Sequence, residues 1–273
     1  MHSNASICVV EAHRFIRKMH GGSQAHLIDS ADGRSYVVKF RNNPQHSRIL
    51  INEWITSVIL RHLGISTPDS VVVNISPNFI RDNPEVHIQH RSGHVPPATG
   101  PHFGSSFPSQ SAQVCAHLPN TLLARVANLS DFCGVLVADK WLGNSDHRQS
   151  VFVGVPVLNS PFSFLATMID NGQVFDGGNW RFEDSPLRGP YLGRVYQRVR
   201  SLEAFEPWLT AVAGFPEAML EEAFQRMPSS WRCGDTEAAF SRLLSQLMRR
   251  RGRVADLIHA CRAQAANPFP NWL

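Results

Sequence analysis

Trp141-Leu142-Gly143-Asn144-Ser145-Asp146-His147-Arg148-Gln149-Ser150 places an acidic turn between apolar runs. A second such turn, Met168-Ile169-Asp170-Asn171-Gly172, lies downstream. Val151-Phe152-Val153 follows the first carboxylate, and Leu165-Ala166-Thr167-Met168-Ile169 precedes the second. These runs predict short buried strands joined by a turn around Asn159-Ser160-Pro161. A hairpin of this kind holds Asp146 and Asp170 together at one end of a sheet. Neighbouring carboxylates repel unless a cation or a shared proton relieves them. Mg²⁺ relieves them and brings phosphates with it, so the pattern points to phosphoryl transfer. The plainer alternative is two solvated turn aspartates, because Asp, Asn and Gly are ordinary turn formers.

The chain has 273 residues and is 43% hydrophobic, enough for one large domain or two small lobes with a packed core. A formal charge of +4 suits an anionic ligand without demanding nucleic acid. Arg249-Arg250-Arg251-Gly252-Arg253 is a basic cluster, but no aromatic residues interleave it; arginines near a helix end complement the dipole and stay solvated. No apolar run is long enough for a membrane span, and no secretory signal is expected at the N-terminus. The five cysteines are scattered and odd in number, as reduced thiols in a cytoplasm are. The thirteen histidines show no metal-ligand spacing, which argues against a metal hydrolase built on Asp146-His147.

Upstream of the acidic turns, Val9 to Phe15 has strand character and runs into Met19-His20-Gly21-Gly22-Ser23-Gln24-Ala25-His26. Glycines there let the backbone approach phosphate oxygens, and Ser23 adds a hydroxyl donor; a plain hairpin turn is the alternative. After a hairpin signal at Asp29 to Gly33, Tyr36-Val37-Val38-Lys39-Phe40 reads as a strand. Lys39 stands among apolar neighbours and needs an anionic partner or a path to solvent. A helix is predicted from Arg48, with Ser47 as cap, Gly64 as its stop and Ile51, Ile55, Val58, Ile59 and Leu63 as its buried stripe. Its one acid, Glu53, can reach Lys39 or remain on a solvated face. Val71 to Ile75 is another strand. Residues 77–111 are rich in Pro, Gly, Ser and His and predict a long, partly mobile loop. Gln113 to Leu118 is a candidate strand before helical patterns at Thr121–Val126 and Leu129–Leu142. Phe175-Asp176-Gly177-Gly178-Asn179-Trp180 predicts a flexible segment at the mouth of the site. Residues 201–273 read as mostly helical, with Phe240, Leu243, Leu244 and Leu247 on one face.

Taken singly these signals are weak, but their order is specific. A glycine-rich hairpin, a strand lysine, a helical glutamate, an Asn-x-Asp turn and an Asp-x-Gly after a strand is the order of parts in protein-kinase-like phosphotransferases. Over nearly its whole length the chain resembles the HipA-like kinases, specifically their shorter bacterial branch. The resemblance is carried by Gly21 to Leu27, Val37-Val38-Lys39-Phe40, Asn52-Glu53, His102-Phe103-Gly104-Ser105, Asp131-Phe132-Cys133-Gly134, Asp139 to Gln149, Met168 to Gly172 and Phe269-Pro270-Asn271-Trp272. The Asp139–Gln149 block is its most specific motif.

The resemblance implies ATP and Mg²⁺ as ligands. It implies that Asp146 is the catalytic base and that Asp170 is the main metal ligand. Lys39 holds the phosphates, steadied by Glu53, while Gly21, Gly22, Ser23 and Gln24 cover them. Residues from Cys115 to His117 line the adenine slot. Larger HipA-type kinases carry a metal-binding Asn where this chain has Val151, which leaves Gln149 as the nearest amide for a second metal contact. The fold expected is α+β and bilobal: an antiparallel-sheet nucleotide-binding lobe over 1–115 and a mainly helical catalytic lobe over 116–273. The function expected is an ATP-dependent Ser/Thr kinase in the cytoplasm, with an antitoxin-like regulator as the partner the family suggests. The alternatives are a catalytically weak nucleotide-binding module and a small-molecule phosphotransferase.

Overall fold

The computed structural model describes residues 7–108, 112–157, 160–184, 194–264 and 267–273. The first strands are β1 (Val9–Lys18), β2 (His26–Ser30) and β3 (Ser35–Lys39). Helix α1 (Arg48–His62) precedes β4 (Ser70–Ile75). The expected long loop over 77–111 is corrected. It contains α2 (Pro77–Asp82), a small hairpin of β5 (Ile88–His90) and β6 (Gly93–Val95), and β7 (Gly100–Ser106). Its remaining residues 109–111 lie outside the described set. β7 sits between β3 and β4. Its sequence hides this because the fit demands small residues: a Cβ on Gly104 would lie 2.5 Å from Val73 Cγ2.

The antiparallel sheet expected here is present, with one parallel pairing. The strands close into a barrel in the order β1-β2-β3-β7-β4, and the seam is a parallel pairing of Val9–Glu11 with Val72–Asn74. β1 is ten residues long, and its register shifts twice against β2, at Ala12/Arg14 and Phe15/Arg17. Such irregularities bend a strand and help a sheet turn the corner into closure. Tyr36, Val38 and Phe40 fill the barrel with Ile28, Val71, Val73 and Ile75. Alternation then puts Val37 and Lys39 on the outer face, toward α1.

α1 ends as predicted. Gly64 has φ of +70°, and Ile65 N–H and Gly64 N–H return to the carbonyls of Leu60 and Arg61. Ser47 makes no side-chain cap, which corrects that expectation. The helix is buried on nearly every side because it packs on the barrel, on α5 (Glu217–Arg226) and on the turn at Val174–Asn179.

The rest of the chain forms a second layer. The short β8 (Val114–Cys115) leads to α3 (Asp131–Leu142), which is followed by β9 (Gln149–Val157) and β10 (Ser160–Ile169). These strands make a sheet in the order β10-β9-β8. The predicted hairpin is there, with Gln149 opposite Ile169; the residues of its turn, 158–159, lie outside the described set. Then come α4 (Trp208–Ala213), α5, α6 (Thr236–Arg250) and α7 (Val254–Arg262). One apolar core runs from α1 through α3 to these helices and takes in Phe269 and Trp272 at the C-terminus. Arg250 departs from the solvated cluster expected of it. It is buried, donates from Nε to the Lys140 carbonyl at 3.0 Å and pairs with Asp184. Partners that distant in sequence leave no local signal.

Candidate active site

β3 and α1 meet at Lys39 and Glu53. The Lys39 ammonium is hydrogen-bonded to Glu53 Oε1, and it reaches Asp170 Oδ1 at 2.5 Å. Glu53 is buried, while the Asp170 side chain keeps 27% of its exposure and faces a cavity. Burial works against the lysine's charge, but the two carboxylates outweigh it and hold its pKa above the ordinary value. For Asp170 burial pushes the pKa up, and Lys39 more than reverses this, so the carboxyl lies below its usual range. Asp170 adopts a left-handed backbone with φ of +57°, and Gly172 follows where no side chain fits. A Cβ there would lie 2.8 Å from Ile49 Cγ2 and 3.4 Å from Glu53 Oε1.

The hairpin supplies the other wall. Gln149, Val151 and Val153 alternate along β9 and face the cavity together, as do Thr167 and Ile169 on β10. Ala25 and Val37 line the opposite side. The cavity measures about 370 Å³. Its shape is an apolar slot with the Lys39–Glu53–Asp170 cluster at one end. Gln149 Nε2 donates to Asp170 Oδ2 at 2.9 Å, so the amide beside the acid comes from Gln149 and not from position 151.

The glycine turn reaches the cavity through Met19, His20 and Ser23. Gly21 and Gly22 lie in the same turn without lining the wall. Gln24 is turned away: its amide exchanges two hydrogen bonds with the backbone of Gln89 on β5, at 2.9 and 2.7 Å. The structure does not bring Cys115 or His117 to the cavity. Val114 lines it, and in a two-residue strand the neighbour faces the other way. Asp146 is exposed and outside the cavity wall; its Oδ1 accepts the His147 N–H at 2.7 Å.

Two groups around the site stand in the motifs of the family resemblance with no role assigned to them there. Asn52, next to Glu53, is fully buried and donates to the carbonyls of Gly172, Val174 and Gly177. The expectation of a flexible 175–180 segment is therefore corrected, because α1 ties it down. Arg148 is paired with Asp139 near the end of α3. A charged residue inside an apolar helix demands a buried partner, and that was the one available signal.

The sequence profile of the HipA-like kinases matches residues 12–187, which include every residue of this cluster. The chain belongs to the HipA-like kinase family. Among solved structures it is similar to the Golgi casein kinase with Mn/ADP bound, at 14% identity and a TM-score of 0.52, over 96% of this chain and 75% of that one. It is similar to hydra Fam20 with sugar, at 13% identity and a TM-score of 0.52, over 97% and 88%. It is also similar to the Helicobacter pylori proinflammatory kinase CtkA, at 12% identity and a TM-score of 0.55, over 95% and 99%. At such identities the likeness is one of fold, and the fold is α+β and kinase-like. No curated protein sequence matches the chain. This HipA-like kinase is thus a kinase-like phosphotransferase by family and fold. Among its described residues no helix is long and apolar enough to cross a membrane.

Proposed function

We propose that the chain is an ATP-dependent, divalent-metal-dependent Ser/Thr protein kinase of the cytoplasm, with a nucleotide-binding lobe over 1–115 and a catalytic lobe over 116–273. The observation that carries this reading is the Lys39 ammonium clamped between Glu53 and Asp170 at the end of an apolar slot. Ala25 and Val37 on one side, with Val151, Val153 and Ile169 on the other, would hold a planar base. The volume lies within the range of roughly 300–1,000 Å³ typical of ligand pockets. Lys39 would hold phosphate oxygens, and the Ser23 turn would close over them.

The donors at the acidic end suit a hard cation. Asp170 offers a carboxylate oxygen, and Gln149 can turn its carbonyl oxygen inward. Among the described residues no cluster of three His, Cys, Asp or Glu forms a protein cage. Mg²⁺ is usually held by one or two carboxylates together with water and substrate phosphates. Asp170 and Gln149 would hold such an ion, whose positive charge would offset that of the phosphates. Asp146, exposed and outside the cavity wall, would accept the proton of the acceptor hydroxyl as its oxygen bonds to the γ-phosphorus and ADP leaves. In such transfer most of the catalysis is positioning and electrostatic stabilisation.

Purified chain with Mg²⁺ and γ-labelled ATP is expected to label itself or a protein of a lysate. Asp146→Ala should abolish labelling but leave Mg-ADP binding intact, whereas Asp170→Asn should weaken that binding. Labelling that survives Asp146→Ala would remove the assigned base. A binding-only role is the second reading, favoured by Val151, which puts a side chain without ligand atoms on the cavity wall. Mg-dependent nucleotide binding with no transfer would select it. Transfer to a metabolite and to no protein would select a small-molecule phosphotransferase.

A further inference from the structure

A continuous line of side chains that the phosphotransfer reading does not use connects the two acidic turns. Its centre is the pair Asp139 and Arg148, whose side chains keep only 10% and 7% of their exposure. Arg148 Nε donates to Asp139 Oδ2 at 3.0 Å, and Nη2 donates to Oδ1, a two-pronged contact that fixes both planes. On one side, Asn144 Nδ2 donates to Asp139 Oδ1 at 3.1 Å, and Asn144 Oδ1 accepts the Asp146 backbone N–H at 3.2 Å. On the other, Arg148 Nη1 donates to Asn171 Oδ1 at 2.6 Å and to the Ile169 carbonyl at 3.3 Å. Those two residues flank Asp170.

The local sequence builds this line. Gly143 takes φ of +59° at the end of α3, and Asn144 N–H returns to the Asp139 carbonyl at 3.0 Å. The helix end therefore delivers Asn144 onto the Asp139 side chain. Burying a guanidinium and a carboxylate costs solvation that their attraction only offsets when each is fully bonded, so such a pair is weak evidence of added stability. Here the partners of both charges lie along the path from Asp146 to Asp170.

We propose that Asp139 and Arg148 are positioning residues that hold the Asp146 turn and the Asp170 turn in fixed relation. The proton acceptor and the phosphate-binding end are then presented together. The catalytic consequence rests on the phosphotransfer reading; the mechanical coupling of the turns does not. The Asn144 arm acts on Asp146 and so on turnover. The Asn171 arm acts on Asp170 and so on the requirement for divalent cation. Lysine keeps the charge but not the fork, and does not replace arginine at a two-pronged site.

The test uses the full chain as wild type, Arg148→Lys, Asn144→Ala and Asn171→Ala. It reads kcat, KM for Mg-ATP, half-saturating Mg²⁺ and amide hydrogen exchange across 144–148 and 169–172. Asn144→Ala is expected to lower kcat by about tenfold with KM for ATP little changed. Asn171→Ala is expected to raise half-saturating Mg²⁺ by at least about threefold. Arg148→Lys should do both and speed exchange in the two turns together. Wild-type kcat and Mg²⁺ requirement in Arg148→Lys, or faster exchange in one turn alone, would overturn the proposal. If Arg148→Lys fails to fold, the two Asn variants decide: lower melting temperatures with kcat and Mg²⁺ requirement unchanged would mark the network as merely structural. A wild-type chain that transfers no phosphate would instead overturn the phosphotransfer reading, and the exchange pattern would still decide the coupling.

Discussion

The indole N–H of Trp180 is bonded to the side-chain oxygen of Asn52 at 2.8 Å, across the boundary between α1 and the segment after Asp170. The same side chain donates to the carbonyls of Gly172, Val174 and Gly177 at 2.8, 3.1 and 2.9 Å. Phe175, Asp176 and Trp180 in that segment have φ of 58°, 56° and 54°. This left-handed conformation costs L-residues roughly 1–2 kcal/mol each, so the segment keeps its shape only while it is held. Asn52→Leu strands three carbonyls and one indole donor. The expected loss is on the order of 3 kcal/mol or more in urea unfolding, with weaker Mg-nucleotide binding because Glu53 and Asp170 lose a shared anchor. A variant as stable as wild type would show that water satisfies these groups without penalty.

Lys39 balances the charge of the site. Lys39→Met leaves Glu53, at 3% side-chain exposure, and Asp170, at 27%, facing each other unpaired. In the wild type the Asp170 pKa is depressed, so its contribution is present above the unfolded value and is lost only as pH falls through the folded one. In the variant the sign reverses: Asp170 takes up a proton more readily folded than unfolded, and the native state gains as pH falls. At pH near 7 the variant is expected to be about 3 kcal/mol less stable than wild type. That deficit should shrink between about pH 7 and pH 5 when the two are compared at each pH. A deficit independent of pH would mean that the acids had separated into solvent.

The residues that meet at the cluster were legible in the sequence because each is forced by a short-range rule. Lys39 interrupts a strand, Glu53 is the one acid on an apolar helix, and Asp170-Asn171-Gly172 ends a buried run. The structure joins Lys39, Glu53, Asp170 and Gln149 in one cluster. What stayed hidden depends on distant partners. Barrel closure needs a parallel pairing between β1 and β4, and nothing local in Val9–Glu11 announces it. β7 carries Gly-Pro-His-Phe-Gly-Ser-Ser, without apolar alternation, because Val71 and Val73 already fill the space over Gly104. Asn52 and Arg250 look like surface residues until carbonyls more than a hundred positions away are placed against them. The family resemblance implies Cys115 and His117 in the slot, but the face of β8 that meets it belongs to Val114.

Gly172 offers the smallest change aimed at the cluster. An alanine Cβ would press Ile49 Cγ2 at 2.8 Å and approach Lys39 Nζ at 3.8 Å. The neighbour that must yield is a buried helix side chain, so α1 has to move away from the Asp170 turn. Gly172→Ala is expected to destabilise by roughly 1–3 kcal/mol, as overpacking does, and to weaken Mg-ADP binding. Ile49→Ala makes room, so the double variant should bind Mg-ADP better than Gly172→Ala alone. Calorimetric titration of the two variants checks this; equal affinities would place the damage elsewhere.

His102 is, like His26, a buried barrel histidine whose pKa burial lowers. It lies on β7 with no exposed surface. Its Nδ1 accepts the Arg41 N–H at 2.8 Å and its Nε2 faces the Ala98 carbonyl at 2.7 Å, an arrangement that fits the neutral ring with the proton on Nε2. A second proton would have to enter at Nδ1 and displace the Arg41 bond. Burial pushes its pKa down to about 4 from 6.5. The folded state therefore binds this proton less readily than the unfolded chain. The resulting stability is complete above the unfolded pKa and is lost as pH falls toward the folded one, in the window from 6.5 to about 4. The contribution is on the order of 3 kcal/mol. Melting temperature should fall across that window, and less steeply in His102→Gln, whose amide cannot titrate but can accept from Arg41 or donate to Ala98. Parallel pH profiles for the two proteins would remove His102 from the account of acid unfolding.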